Sequence, residues 1–381
     1  MPLLDIGPTD RFLAGLNAWV AHETPTSDPA AVNALMDEVQ AGFVALGATC
    51  ERVPGRDGRG DHLVIRAPWG SESEKGVLCL SHLDTVHPIG TLKKNPIRTE
   101  GNRAWGPGIN DMKAGAYAAF AAYRALVEAG RTTPLPLTFI YTADEETGSV
   151  TSQAVIEREA ARARYALVLE SGRAGDKVVT SRKGAAMYRL EVSGRPAHAG
   201  SAHRQGRSAI RELAHQILTL EGFTDYARGI TVSIGLAEGG SAANVVPASA
   251  WCSIDMRAPT PATAAETDAR IKGLTPVTPD CTLAITGGIN RTPYLKAERP
   301  DIEALFQKAR AVAKDIGFDL ADLPDGEGSG GSDAQFCVAS CPALDGLGPY
   351  GGGAHTIEEW IGLDTIPRRG NLLLHLLQTL A

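Results

Sequence analysis

Two short clusters of histidine and carboxylate residues stand out, because these side chains bind metal ions and move protons. His82 and Asp84 lie in SHLDTVHP, directly after the apolar run GVLCL, and their spacing puts both side chains on one side of an extended backbone. A carboxylate beside a metal-bound imidazole fixes its tautomer, so the pair suits a ligand and its orienting group. For this pair taken alone, a solvated strand end is the alternative.

The segment TADEETGS places three consecutive carboxylates after the strand-like run LTFIYTA. Adjacent side chains diverge, so Glu146 could bind a metal ion while Glu145 holds a nucleophilic water, as metal-assisted hydrolysis requires. An exposed acidic loop is the alternative. Asp111, in GPGINDMKAG, precedes a predicted helix over 112–129. It could cap that helix, or its two oxygens could bridge two cations.

Two single residues add to these clusters. Glu170 ends the apolar run YALVLE, where an acid is costly unless it is paired or metal-bound. His355 lies in the glycine-rich segment PYGGGAHTIEEW, whose backbone could present an imidazole. Five other histidines are expected to serve packing, the surface or polar turns: His22, His62, His87, His215 and His375.

The alternation of strand-like and helical segments positions these residues. Strand, helix, strand, helix, strand through residue 170 predicts an α/β domain with a largely parallel sheet. His82, Asp111, Glu146 and Glu170 each follow a predicted strand, and ligands of open α/β sheets gather at the carboxyl ends of strands. With His355, they form a mixed nitrogen and oxygen set. Such a set suits two Zn²⁺ ions about 3.5–4 Å apart with one bridging carboxylate.

The pattern changes near residue 184. The order β-α-β-β-α-β follows, which is the ferredoxin-like arrangement, and α/β alternation resumes from about 296. The sequence therefore predicts an inserted α+β domain. The predicted bounds are 1–183 for the first part of the larger domain, 184–293 for the insertion, and 294–381 for the second part.

Composition excludes several function classes. The 381 residues carry 37 Lys and Arg against 44 Asp and Glu, a net charge of −7, which argues against wholesale binding to nucleic acid or an anionic membrane. No run of 18 apolar residues is present, and the N-terminus lacks the pattern of a secretory signal. The six cysteines are scattered without CxxC spacing. A cytoplasmic location is therefore expected.

Taken together and in order, these motifs resemble a known family. SHLDTV, GPGINDMKAG, TADEETGS, the strand-end Glu170, GRPAHAG and GGSDAQF…GGGAH are similar to those of the dinuclear zinc hydrolases. That family includes aminoacylase-1, acetylornithine deacetylase, succinyl-diaminopimelate desuccinylase and glutamate carboxypeptidase. GDKVVTSRKG, NVVPASA, DMR and DTIPRR bring the chain nearest to the glutamate carboxypeptidase branch.

The resemblance implies a dinuclear zinc site, with Co²⁺ or Mn²⁺ as substitutes. It implies these roles: His82 and Glu170 on one zinc, Glu146 and His355 on the other, Asp111 as the bridge, Asp84 orienting His82, and Glu145 as general base and then general acid. In the implied reaction, Glu145 takes a proton from the attacking water and passes it to the leaving amine.

The resemblance also implies that the inserted domain forms a homodimer and closes over the site. His198, in GRPAHAG, matches a histidine that reaches the partner subunit's site and stabilises the developing oxyanion. Asn244, Arg257 and Lys177 match substrate-binding positions, although a strand arginine equally suits a structural ion pair. The chain departs from the glutamate carboxypeptidase pattern in two places. Ser171 replaces a proline after Glu170, and SRKG adds Arg182 and Lys183, which extend acid recognition or lie on the surface.

The expected function is hydrolysis of a peptide or N-acyl bond by a cytoplasmic zinc enzyme, releasing a C-terminal amino acid, with glutamate or aspartate as the first candidates. An N-acyl-amino-acid deacylase or dipeptidase for neutral residues is the alternative within enzymes. A non-catalytic ligand-binding protein on the same fold is the alternative from another class, but the costly acidic cluster argues against it.

Overall fold

A computed structural model of the chain describes residues 4–71, 73–324, 327 and 330–381. The chain divides into two compact units. The first comprises the residues up to Thr180 together with Lys296–Leu323 and Ser332–Ala381, and the second comprises Ser181–Leu295 and Pro324–Gly331. The sequence placed 324–331 in the first unit. Of the described residues in this range, Gly330 and Gly331 belong to the second unit, where Arg182 donates hydrogen bonds to their carbonyl groups.

The helices and strands are numbered in chain order. The α-helices are α1 (Thr9–Ala21), α2 (Pro29–Ala45), α3 (Ala114–Glu128), α4 (Gln153–Ala161), α5 (Ala209–Glu221), α6 (Pro261–Lys272), α7 (Pro300–Asp315), α8 (Ala334–Cys337) and α9 (Thr365–Thr379). The strands are β1 (Thr49–Val53), β2 (His62–Arg66), β3 (Gly76–His82), β4 (Arg98–Glu100), β5 (Arg103–Trp105), β6 (Leu137–Thr142), β7 (Ala163–Val168), β8 (Ser171–Gly172), β9 (Lys177–Val178), β10 (Gly184–Ser193), β11 (Ala197–His198), β12 (Thr231–Gly239), β13 (Val245–Val246), β14 (Ser249–Ala258), β15 (Thr282–Arg291), β16 (Ala321–Asp322), β17 (Ala343–Leu344), β18 (Gly348–Gly352) and β19 (Trp360–Gly362).

A six-stranded sheet forms the centre of the first unit, in the order β1-β2-β6-β3-β7-β17. Strands β6, β3, β7 and β17 run parallel to one another. Strand β2 runs antiparallel to both of its neighbours, β1 and β6. The apolar run GVLCL forms most of β3 and is buried throughout, as a strand covered on both faces must be. The predicted α/β class is confirmed. Because β3, β6 and β7 are parallel, their carboxyl ends meet at one edge of the sheet.

A second sheet of the first unit has the order β4-β5-β19-β18-β8. Strand β8 follows Glu170 directly, and β18 and β19 form an antiparallel pair that encloses His355 in its connection. This sheet therefore positions two candidate metal ligands, Glu170 before β8 and His355 between β18 and β19.

The second unit contains an antiparallel sheet in the order β12-β14-β10-β15, with α5 and α6 packed against it. Alternate residues of β10 are buried, so one face of the strand packs on the helices. Tyr188 and Leu190 of β10 share a core with Leu213 of α5 and Ile271 of α6. The element order β-α-β-β-α-β agrees with the sequence-based expectation.

The start of α3 differs from the predicted helix over 112–129. Ile109–Lys113 form a short wide turn, in which Asp111 has φ −121° and ψ 93°, and the Asp111–Met112 peptide bond is cis. Regular helix begins only at Ala114. Asp111 therefore does not cap the helix. Within the described ranges, no helix is both long and apolar enough to cross a membrane.

Candidate active site

The end of β3 positions the first histidine. His82 is buried, and its Nδ1 lies 3.0 Å from the backbone oxygen of Asp84 and 3.5 Å from the Asp84 carboxylate. Nδ1 therefore donates a hydrogen bond to this carbonyl group, and Nε2 lies on the other side of the ring, facing away from Asp84. The Asp84 carboxylate is fully buried and accepts from the backbone N–H groups of Glu145 and Glu146, each at 3.2 Å. Asp84 thus fixes the acidic turn as well as the histidine segment.

Asp111 lies between the two predicted histidine ligands. Its Oδ1 is 3.2 Å from His82 Nε2, and its Oδ2 is 3.2 Å from His355 Nε2. Glu170 Oε1 lies 3.7 Å from His82 Nε2, and Glu146 Oε2 lies 3.2 Å from His355 Nε2. The ligand atoms within each group of three lie no more than 4.8 Å apart, and Asp111 belongs to both groups. One carboxylate thus faces two clusters with one oxygen each.

The two clusters differ in exposure. The side chains of His82 and Glu170 are 1% and 12% exposed, whereas that of His355 is 55% exposed. The cluster of His82, Asp111 and Glu170 is therefore the inner one. The cluster of Asp111, Glu146 and His355 opens to solvent.

The charges of this site are crowded. Burial, together with the charge of Asp111, raises the pKa of Glu170 well above its ordinary value, and burial also raises that of Glu146. Hydrogen bonds to Asp111 and Glu146 raise the pKa of His355 to about 10. Burial opposes protonation of His82, but hydrogen bonds to Asp111 and Asp84 outweigh it and raise its pKa. A bound cation would offset the repulsion between these carboxylates, so the crowding suits a metal site.

The residues present fit a pair of divalent cations. Glu146 Oε1 is buried without a hydrogen-bond partner. Two imidazoles and three carboxylates form two groups, and the ligand atoms within each group lie no more than 4.8 Å apart. Zinc accepts this set of nitrogen and oxygen ligands. The structure brings together all five side chains that the sequence predicts as metal ligands: His82, Asp111, Glu146, Glu170 and His355.

Sequence reasoning missed the groups that support the acidic turn. His62 was assigned to a polar turn, but it begins β2 and is buried. Its Nδ1 accepts from the backbone N–H of Ala143, and its Nε2 lies 2.9 Å from Thr151 Oγ1. Asp144 accepts from the N–H of Thr151 at 2.6 Å. The partners lie on different elements, so no local pattern could reveal them.

Asp333, at the end of the GSGGSD segment, supports the same turn. Asp333 is buried and accepts hydrogen bonds from Thr142 Oγ1, at 3.3 Å, and from Ser149 Oγ. These two residues lie on either side of the acidic turn that carries Glu145 and Glu146. Asp333 thus closes the base of that turn from positions 191 and 184 residues later in the chain than its two donors.

His87 was expected to serve packing or the surface. It is buried, as a packing residue would be, and its Nε2 lies 2.6 Å from the fully buried carboxylate of Glu359. Glu359 also accepts from the backbone N–H of Asp111 at 2.9 Å. A histidine so placed is paired because neither group could be buried alone at low cost.

The predicted substrate residues of the second unit have local partners. His198 is exposed, and its Nδ1 accepts from the N–H groups of Gly200 and Ser201 at 3.1 and 3.2 Å. Arg257 donates to Asp255, with Nε to Oδ1 at 2.9 Å and Nη2 to Oδ2 at 2.8 Å. The ion pair weighed as an alternative for this arginine is therefore present.

The remaining predicted residues are placed as follows. Asn244 is exposed, and its backbone oxygen accepts from Ala199 at 2.9 Å. Lys177, in the first unit, begins β9, which pairs with β16. Arg182 does not lie on the surface, because it is only 2% exposed. Lys183 donates from Nζ to the oxygen of Gly229 at 3.0 Å.

Comparison with known proteins identifies the family. The sequence pattern of peptidase family M20/M25/M40 matches residues 78–379. Carboxypeptidase G2 of Pseudomonas sp. (strain RS-16) is 31% identical over 365 residues, which covers 93% of this chain and 85% of that protein. Succinyl-diaminopimelate desuccinylase of Paracoccus denitrificans (strain Pd 1222) is 27% identical over 356 residues, covering 88% and 90%.

Solved structures show the same fold. The M20 family metallo-carboxypeptidase Sso-CP2 from Sulfolobus solfataricus matches with a TM-score of 0.73 and 17% identity, covering 97% of this chain and 98% of that one. Aminopeptidase PepT from Bacillus cereus ATCC 10987 matches with a TM-score of 0.72 and 22% identity, with the same coverage. The predicted family is thus confirmed. The chain belongs to peptidase family M20/M25/M40 and is a metallopeptidase or amidohydrolase of that metal-dependent family.

Proposed function

We propose that the chain is a dinuclear zinc hydrolase that cleaves a peptide or N-acyl amide bond and releases a C-terminal amino acid. One observation carries this proposal: Asp111 directs one carboxylate oxygen to each of two histidine and carboxylate clusters, at 3.2 Å from the histidine in each. The turn that holds Glu146 also holds Glu145, so a proton-accepting group stands beside the metal ligands.

His82 and Glu170 would hold one zinc ion, Glu146 and His355 the other, and Asp111 both. When bound, the ions would polarise the scissile carbonyl group and lower the pKa of a water molecule. Co²⁺ or Mn²⁺ would substitute because they accept the same donor set.

Glu145 is the proposed general base. The Glu145 backbone N–H donates to the buried carboxylate of Asp84 at 3.2 Å, which holds the acidic turn in register with His82. The Glu145 carboxylate takes a proton from the attacking water and then gives it to the nitrogen of the leaving amine. Two proton transfers by one carboxylate keep the charge of the site unchanged over a turnover.

The substrate's carboxylate is assigned to Arg257, with Asn244 and Lys177 as further binding residues and His198 as the group that stabilises the oxyanion. Asp255 occupies the Nε and Nη2 side of the Arg257 guanidinium, so the Nη1 end remains to receive a second carboxylate in a forked contact. The motif matches to the glutamate carboxypeptidase branch support release of glutamate or aspartate, and similarity to carboxypeptidase G2 supports release of a C-terminal amino acid. A cytoplasmic homodimer formed through the second unit completes the proposal.

A panel of N-acyl-amino acids tests the function. Zinc-loaded protein is assayed for the amino acid it releases, with Glu145→Gln as the control for contaminating hydrolases. Release of glutamate or aspartate is expected. Release of neutral amino acids would instead support the second candidate, an N-acyl-amino-acid deacylase or dipeptidase. The observation that keeps this second candidate open is the similarity to the acetylornithine deacetylase of Myxococcus xanthus, at 31% identity over 252 residues. No hydrolysis of any member would contradict both candidates.

A further inference from the structure

The carboxylate of Glu359 is a buried group that the proposed chemistry does not use. It is fully buried and accepts four hydrogen bonds. Oε1 accepts from the backbone N–H groups of Asn110 and Asp111, at 2.8 and 2.9 Å, and Oε2 accepts from the N–H of Gly108 at 2.8 Å. The fourth donor is His87, whose Nε2 lies 2.6 Å from Oε2. A buried carboxylate with four donors is held firmly and in turn fixes the groups that donate.

These contacts join the segments of three candidate metal ligands. Glu359 binds the backbone N–H of Asp111 directly and follows His355 by four residues. His87 follows His82 by five residues in the same segment and is 7% exposed. The hydrogen-bonded pair of His87 and Glu359 therefore connects the three chain segments that carry Asp111, His355 and His82.

The backbone around Asp111 explains why the loop depends on this pair. Gly108 has φ +69°, and a Cβ atom there would lie 2.5 Å from Thr85 Cγ2, so the turn requires glycine. Asp111 is not helical, although it lies within the wide turn before α3. The N–H groups of Asn110 and Asp111 are therefore satisfied by a side chain from a distant segment. Without it, a donor next to the bridging carboxylate would be buried and unpaired.

We propose that His87 and Glu359 form a positioning pair that holds Asp111 and His355 in the geometry required for metal binding, and so sets the affinity for zinc. The inference rests on the proposed zinc site. It adds two residues that neither bind metal nor touch substrate. The action passes through the backbone of the 108–111 loop, unlike the usual outer carboxylate that contacts the ring of a histidine ligand.

The choice of substitutions follows from the donors. In Glu359→Gln, the amide nitrogen would face either Gly108 and His87 or Asn110 and Asp111. Both ends of the native carboxylate accept from backbone N–H groups, which cannot become acceptors, so no orientation of the amide satisfies all of them. His87→Leu removes one donor with little change in volume. His87→Gln keeps an N–H that can reach the carboxylate.

The test measures zinc affinity of the full chain by competition with a chromophoric chelator, with zinc as the only probe. Glu359→Gln is expected to bind zinc about 10–100-fold more weakly and His87→Leu about tenfold more weakly, while His87→Gln stays near the wild type. The Co²⁺-loaded variants are expected to show altered visible spectra, because the ligand geometry changes. His22→Leu is the matched control for His87→Leu: it removes a partly exposed histidine and glutamate pair, with Glu38 at 2.9 Å, and should leave zinc affinity unchanged.

Unchanged zinc affinity and Co²⁺ spectra in folded Glu359→Gln and His87→Leu would overturn the proposal. So would an equal loss in His87→Leu and His87→Gln, which would indicate a general packing defect. If Glu359→Gln does not fold, the two His87 variants decide. Wild-type hydrolysis is measured separately. Two bound zinc ions without hydrolysis would count against the proposed function, whereas hydrolysis with insensitive variants would count against the positioning pair alone.

Discussion

The two units of the chain differ in whether the charged side chains of their proposed sites are balanced by neighbouring groups. In the first unit, Glu146 and Glu170 crowd around Asp111, and burial raises the pKa of both. In the second unit, Arg257 already has a bidentate carboxylate partner, and His198 already accepts two backbone N–H groups. The first arrangement is costly without a cation, and the second is stable by itself. Charge crowding therefore points to a metal site more strongly than the presence of a suitable residue type points to a substrate site.

The largest expected effect concerns the proposed base in the first unit. Glu145→Gln should lower kcat about 10²–10⁴-fold, because the variant cannot accept a proton from water. Zinc content should remain at two ions per chain, since Glu145 is not among the ligand sets. Kinetics and metal analysis of the same preparation measure both quantities. Full activity of the purified variant would remove Glu145 from the mechanism.

Two carboxylates of the first unit with little exposure, Glu170 and Glu159, offer a sharper comparison. Glu170→Gln should weaken binding of one zinc ion by more than about 100-fold, beyond what a change outside the ligand set produces. It should not destabilise the metal-free protein, because burial and the neighbouring charge of Asp111 already oppose ionisation of this carboxyl group. Chelator competition and thermal unfolding measure the two effects.

Glu159→Gln is the matched control for Glu170→Gln. The Glu159 side chain is 2% exposed, and its carboxylate forms ion pairs with Arg66 Nη2 and Arg158 Nε, each at 2.8 Å. Its variant should lose stability and keep its zinc. If both variants lost stability and kept zinc, the crowded carboxylates would be structural, and the contrast between the units would disappear.

In the second unit, Arg257→Ala should raise KM about tenfold or more for an acidic substrate, since a charge-assisted hydrogen bond contributes roughly 1.5–3 kcal/mol. Arg189→Ala is the control. Arg189 forms a similar pair two residues along a strand of the same sheet, with Glu191 at 2.7 Å, and no role is assigned to it. Equal KM values for the two variants would show that the Arg257 ion pair is only structural.

The smallest effect concerns the stability of the second unit. Glu212 is fully buried and accepts from Gln216 and from the backbone of Val277 and Thr278. Burial opposes ionisation, but these hydrogen bonds prevail and lower its pKa below 4.5. The stabilisation is therefore present above about pH 4.5 and is lost as pH falls through the lowered pKa. Glu212→Gln should cost about 1–3 kcal/mol at pH 7 and less at low pH.

Denaturant unfolding at several pH values checks this prediction. A difference between wild type and Glu212→Gln that did not narrow at low pH would contradict it. Zinc affinity should be the same in both proteins, which separates this carboxylate from those of the metal site.

The contrast between the units also explains how much of the site could be predicted from sequence. His82, Glu146 and Glu170 follow strands whose apolar runs are legible, and parallel strands bring their carboxyl ends together. The turn that holds Asp111 was not predicted, because its backbone is set by Glu359 from far along the chain.

Supporting residues were missed for the same reason. His62 bonds to Thr151, and Asp333 bonds to Ser149, across 89 and 184 residues of sequence. Nothing in the neighbourhood of any one of them in the sequence distinguishes it from an ordinary polar residue. In the second unit, the Asp255 and Arg257 pair lies within one strand, and its spacing of two was open to prediction.

The central claim is that one carboxylate joins two metal ions in the first unit. A crystal of the zinc-loaded protein, measured above and below the zinc absorption edge, tests it most directly. We expect two anomalous peaks, one bound by His82 and Glu170 and the other by Glu146 and His355, with Asp111 in contact with both. A single peak, or two peaks that do not share Asp111, would contradict the account.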